Sequence, residues 1–154
     1  MLVHEDRPEY DAWMKIILSF APAVIFLLLF LIHYNILPPE NEEEARMAKM
    51  VLLASLIIIL FLYWAIMPRK YEIHEERIRI VLGAFSYSLD LKSIAEVKRA
   101  ESWKVFAYKG LRFATSAKKA VEIKRRKWPS VVISPSNPEL FIGRLQQELK
   151  KLKY

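Results

Sequence analysis

Two long apolar runs lie within the first 67 residues of this 154-residue chain, and they limit what it can fold into. Residues 16–37 include no Asp, Glu, Lys or Arg, and neither do residues 50–67. Crossing a hydrocarbon core as a helix takes about 20 apolar residues. A soluble domain of this size has no room for two neighbouring helices that are apolar all round. The runs therefore predict a transmembrane helical hairpin over 13–67, with spans at about 14–37 and 47–67, after an N-terminal tail at 1–12. Residues 68–154 are left for a domain outside the bilayer, long enough for one modest core.

The flanks agree with a hairpin. The first run follows an acidic segment, His4-Glu5-Asp6-Arg7 to Asp11, and is too long for the apolar part of a cleaved signal. Tyr10, Trp13 and Tyr34 on the first span, and Tyr63 and Trp64 on the second, suit interfacial belts. Pro38-Pro39 predicts the end of the first helix, and Glu40-Asn41-Glu42-Glu43-Glu44 between the spans belongs in water. Orientation follows the positive residues near the spans. Arg46 and Lys49 flank the loop, whereas Arg7, Lys15, Arg69, Lys70, Arg77 and Arg79 flank the outer ends. This asymmetry predicts both termini and the domain in the cytoplasm, in the cell membrane. Pro22 is expected to bend the first span, beside a small-residue patch of Ser19, Ala21 and Ala23 that suits a helix contact or plain lipid exposure. His33 and Asn35, at its outer end, are expected to reach water rather than line an ion path.

Charge divides the chain as sharply as hydropathy. Up to Met67 there are 4 Lys/Arg against 8 Asp/Glu, and from Pro68 onward 20 against 9. A basic domain beside a membrane points to anionic lipid headgroups before nucleic acid. There is no cysteine, so no disulfide, thiolate nucleophile or Cys-based metal site can form.

The domain begins with period-two alternation. Tyr71 and Ile73 alternate with Glu72 and His74, and after Glu75-Glu76 come Ile78, Ile80 and Leu82 against Arg77 and Arg79. Phe85, Tyr87 and Leu89 then alternate with Ser86, Ser88 and Asp90. Strands are also expected over 94–97, 112–115, 121–124 and 130–134, the last two as a hairpin. At the end the period changes. Asn137-Pro138-Glu139 is an N-cap, a first-turn proline and a first-turn acid. Phe141, Ile142, Leu145, Leu149 and Leu152 then share one helical face, which must be buried against the strands.

This order of about seven strands and a final helix resembles the bacterial pleckstrin-homology-like (PH) domain family. The resemblance is carried by Tyr71-Glu72-Ile73, by Ile78-Arg79-Ile80 with Gly83, and by Tyr87-Ser88-Leu89-Asp90-Leu91 leading to Ile94. It resumes at Val131-Val132-Ile133-Ser134-Pro135 and Asn137-Pro138-Glu139-Leu140-Phe141-Ile142. It implies an α+β fold, a PH-like, partly open antiparallel barrel with a C-terminal helix, often placed after two membrane spans. It implies no single activity. In lipid-binding relatives of the wider fold the first turn is basic, and here it is Glu75-Glu76, so no phosphoinositide site carries over.

The function expected is a non-catalytic, membrane-anchored scaffold or adaptor, needing no cofactor or metal and binding no nucleic acid. The alternatives are an accessory or regulatory subunit of a membrane transport or channel complex and, more remotely, an unrecognised enzyme. Lys124, Arg125, Arg126, Lys127 and Trp128 form a basic, aromatic hairpin tip, the candidate membrane contact. Trp103, Phe106, Tyr108 and Lys109 are the candidate surface for a protein partner or a second copy of the chain. His4, His33 and His74 are scattered, and the chain's glycines (Gly83, Gly110 and Gly143) make no phosphate loop.

Overall fold

A computed structural model of the chain describes residues 1–37, 39–101, 110–127 and 129–152. The chain divides into two compact units, one of Met1–Asp11 with Ile66–Tyr154 and one of Ala12–Ala65.

The second unit holds helices α1 (Ala12–His33) and α2 (Glu42–Ile66). Both are long and apolar enough to cross a membrane. Most of their large apolar side chains are exposed, among them Ile16, Phe20, Phe26, Leu27, Ile57, Ile58 and Phe61. A core helix of a soluble protein would bury such residues. The hydroxyls of Ser19 and Ser55 donate to their own helices, at the Lys15 and Val51 carbonyls (both 2.8 Å), which satisfies them without water.

The first helix stops before its prolines. Asn35 takes a left-handed conformation (φ 54°). The amides of Asn35 and Ile36 then turn back to the carbonyls of Ile32 (3.3 Å) and Leu31 (2.9 Å). These are the two bonds that close a helix C-terminus around a left-handed residue, and Asn tolerates that conformation better than most. So Asn35 ends the helix, which the apolar run alone extends to Leu37. The second helix begins inside the acidic loop. Asn41 Oδ1 accepts from the Glu44 amide (2.9 Å), and Glu42, Glu43 and Glu44 fill the first turn, where the helix dipole favours negative charge.

The other unit is β-rich, as the alternation predicts. Strands β2 (Pro68–His74), β3 (Arg77–Leu82) and β4 (Ser86–Asp90) form consecutive antiparallel pairs. A single 3-10 turn at Leu91–Ser93 leads to β5 (Ile94–Arg99). Beyond lie β6 (Leu111–Arg112), β7 (Val121–Arg125) and β8 (Val131–Ile133). The second sheet has the order β5-β7-β8-β6, with β7 and β8 as the expected hairpin and β6 parallel to β8. Helix α3 (Pro138–Lys151) starts as its sequence predicts, with Asn137 Oδ1 accepting from the Leu140 amide (3.2 Å).

Strict alternation does not describe β5. Ile94 and Val97 are both buried, three residues apart, because the register with β7 shifts between Ile94 and Glu96. Such a bulge resets which face a side chain occupies. The core gathers Tyr71, Ile73, Ile78, Ile80, Leu89, Ile123, Ile133, Phe141 and Leu145 from both sheets and from α3. Of the apolar face of α3, Phe141 and Leu145 are wholly buried, Ile142 and Leu149 partly, and Leu152 is exposed at 39%.

The first eleven residues, expected as a tail, are instead part of this unit. Strand β1 (Leu2–Asp6) pairs antiparallel with β2, with His4 opposite Ile73 and Asp6 opposite Tyr71. It becomes the outer strand of a sheet ordered β1-β2-β3-β4. Helix α3 contacts β1 and β5, one edge strand of each sheet.

Candidate functional site

The buried polar side chains of the β-rich unit mostly hold the N-terminal segment. Asp6 is almost fully buried. It accepts from the Arg7 amide (2.7 Å), the Asn137 amide (3.1 Å) and the Ser136 hydroxyl. The Glu9 amide donates to the Ser134 carbonyl (2.9 Å), and the Glu9 carbonyl accepts from the Thr115 hydroxyl. The Asp11 carboxylate accepts from the Ser116 hydroxyl (2.7 Å) and the Ala117 amide (2.8 Å). Thr115, Ser116 and Ser134 are all buried. Buried polar groups cost stability unless paired, and here each is paired across more than a hundred residues of sequence or within the same cluster.

Where this segment meets β2 there is an open cleft of about 700 Å³. Its lining includes Arg7, Tyr10, Arg69, Lys70 and Gly83. The Tyr10 hydroxyl donates to the Pro68 carbonyl (2.7 Å), tying the residue two before α1 to the residue two after α2. Burial raises the Tyr10 hydroxyl above its ordinary pKa, while the nearby Arg69 charge pulls it down. Arg7 and Arg69 are exposed. The β3–β4 turn borders the cleft at Gly83, is closed by the Leu82 amide on the Phe85 carbonyl (2.9 Å), and leaves Phe85 57% exposed.

Beside the cleft, Glu72 sits in a file across three strands, opposite Glu5 on β1 and Arg79 on β3. Its side chain is buried, 2.9 Å from Lys70 Nζ and 3.1 Å from His74 Nε2. Burial alone would raise its pKa, but the bonds from Lys70 and His74 outweigh it and hold the carboxyl below its usual range. The bonds to Glu72 and Glu5 in turn raise Lys70. A depressed carboxyl contributes stability that is complete above its unfolded value, about 4.3, and lost as pH falls through the lower folded value. Thermal unfolding of the full chain in detergent should therefore show Glu72→Gln as destabilising near neutrality. The gap to wild type should close below about pH 4. A gap that persists unchanged to the acid limit would remove the ionic role of Glu72.

The basic hairpin tip is only partly free. Lys124 pairs with Glu96 (3.0 Å), which raises the one and lowers the other. Both partners are substantially exposed, so the pair adds little stability. Arg125 reaches the Tyr87 hydroxyl (3.1 Å) and Ser93 Oγ (3.3 Å). Arg126 and Lys127 are exposed, and Trp128 lies outside the described residues. The tip is fastened by the Arg126 amide on the Ser93 carbonyl, and that turn by the Leu91 amide on the Glu76 carbonyl. It therefore stands at the β2–β3 turn, where β2 ends, whereas the Arg7–Arg69 cleft stands where β2 begins. The expected partner surface at Trp103, Phe106, Tyr108 and Lys109 also lies outside the described residues.

Sequence reading missed the N-terminal strand and the cleft it creates. The available signal was electrostatic: Glu5, Asp6, Glu9 and Asp11 precede a chain whose remainder is strongly basic. Among known proteins, the family described as Bacterial PH domain matches residues 69–149, which span β2 to α3. No curated protein and no solved structure matches the chain. The match covers more than half of the sequence, and the two sheets with their C-terminal helix have the form expected of a PH-like fold, so the chain belongs to the bacterial PH domain family.

Proposed function

We propose that the protein is a non-catalytic scaffold or adaptor that holds a PH-like domain against the cytoplasmic face of the cell membrane. The observation that carries this reading is that β1 precedes α1 and yet pairs with β2, which follows α2. The helical hairpin is thus an excursion out of a single folded unit. Both of its ends must stay in one compartment, as an even number of spans requires. The positive residues near the spans favour the cytoplasm for that compartment. The buried polar groups are occupied in closing the domain, which suits a module whose work is done by its surface.

The chain has no cysteine, so single cysteines report topology directly. In intact cells, an impermeant maleimide should label Glu40→Cys in the loop between the helices. It should label Lys118→Cys in the domain only after permeabilisation. The reverse pattern would overturn the orientation, and full extraction of the chain by carbonate would overturn the anchoring.

A further inference from the structure

We propose that a pocket between the β7–β8 tip and the last turn of α3 docks a segment of a partner protein in which an apolar side chain is flanked by carboxylates. This deepens the scaffold reading and rests on it. The pocket holds about 280 Å³ and is lined by Leu91, Lys92, Ile94, Arg126, Leu149 and Leu152. Leu91 and Ile94 are almost fully buried, whereas Leu149 is only partly covered and Leu152 is 39% exposed. The apolar face of α3 thus runs past the core and ends at an open concavity. Pockets that enclose a drug-sized ligand measure about 300–1,000 Å³. A smaller one suits a single anchoring side chain, the kind of contact that carries most of the energy of a protein interface.

Two cations stand at its rim on fixed backbone. The Lys92 amide donates to Asp90 Oδ1 (2.8 Å) within the 3-10 turn, and the Arg126 amide donates to the Ser93 carbonyl (2.9 Å). These bonds hold the two residues close together although they are far apart in sequence. Both side chains are exposed, and among the described residues neither head group has a hydrogen bond or an ion pair. Their neighbours on the tip differ: Glu96 engages Lys124, and Tyr87 and Ser93 engage Arg125. Among the described residues, no carboxylate lines the pocket. An apolar floor under an unpaired positive rim is complementary to an apolar group with negative charge beside it. A membrane surface offers the charge but no side chain to enter a concavity. The helix α2 also ends next to the start of β2, and the tip stands where β2 ends, about 20 Å of strand away.

The test selects from a display library of random dodecapeptides on the full chain in phosphatidylcholine nanodiscs, against discs without the chain. Selection should enrich peptides that carry Leu, Ile, Met or Phe beside Asp or Glu. Lys92→Glu and Arg126→Glu together should weaken the enriched peptides by about tenfold or more and turn new selections toward Lys and Arg. Leu152→Asp should abolish binding. All three side chains are exposed, and near-ultraviolet dichroism checks that the domain stays folded. On the wild-type chain, 1 M salt should weaken binding, because screening then shortens to about 3 Å. Enriched peptides that ignore both variants overturn the pocket and leave the scaffold reading standing. A folded chain in discs that enriches no peptide also overturns the pocket. A chain that does not enter the discs overturns the anchoring on which it rests. Phosphatidylglycerol vesicles bound through Lys92 and Arg126, with no peptide enriched, assign the rim to a lipid surface and overturn the peptide.

Discussion

A chain lacking Met1–Asp11 should lose the folded state of its β-rich unit while its two apolar helices persist. The deletion strips a whole edge strand from β2 and exposes Tyr71 and Ile73, whose partners across the pair are Asp6 and His4. It also removes Asp6 and Asp11 from their bonds to Ser136, Asn137, Ser116 and Ala117. Hydrogen bonds to charged groups contribute about 1.5–3 kcal/mol each, and an abandoned buried donor costs about 1–3. Several such losses together reach the 5–15 kcal/mol that holds a typical domain. In detergent, the deleted chain should lose near-ultraviolet dichroism and become protease-sensitive after residue 68. The double variant Asp6→Ala/Asp11→Ala should follow it part of the way. A deletion variant whose domain stays within about 1 kcal/mol of wild type would show that the strand is an accessory and not a member of the fold.

Phe141→Ala should be the most damaging single substitution, at about 3–5 kcal/mol. Phe141 has no exposed surface and meets the rings of His4 and Tyr71 edge-on, at 6.2 and 6.5 Å. It therefore joins α3 to β1 and β2 at once, and truncation opens a cavity between three elements that cannot all close on it. The neighbouring Leu140 is 44% exposed, so Leu140→Ala is the control and should change stability by less than about 0.5 kcal/mol. Chemical unfolding of the full chain in detergent measures both. If the two variants were equally mild, the helix would not be packed as described.

Much of the fold was legible because local rules and burial agree. Ile78 and Ile80 alternate with exposed arginines along β3, and the structure buries the apolar set; on β2 Tyr71 and Ile73 are buried as expected, but so is Glu72 between them, where β1 and its ion pairs cover it. Asn137 and Pro138 announce α3 because capping is settled within one turn. Where the rules failed, a second element had intervened. Leu152 is the exception: it continues the apolar face of α3 in sequence, but the helix ends there and leaves it 39% exposed. The four charges of the hairpin tip look alike in sequence. Only the fold brings Glu96 to Lys124, and Tyr87 and Ser93 to Arg125, leaving Arg126 and Lys127 exposed.

By itself the sequence determined the division into two apolar helices and a basic, strand-rich domain, and the family to which that domain belongs. Those properties are sums over neighbouring residues, and periodicity and hydropathy report such sums directly. Tertiary structure alone decided that the first strand of the domain stands before the helices. Nothing local marks Leu2–Asp6 as a strand, because its edge is completed by β2 and its acids by Ser136, Asn137, Ser116 and Ala117, far along the chain. The same pairing brings Arg7 and Arg69 into the lining of one cleft. Two cations separated by both helices in sequence become one cleft only because bonds formed over that distance outweigh the entropy of closing so long a loop, a cost that grows only slowly with its length.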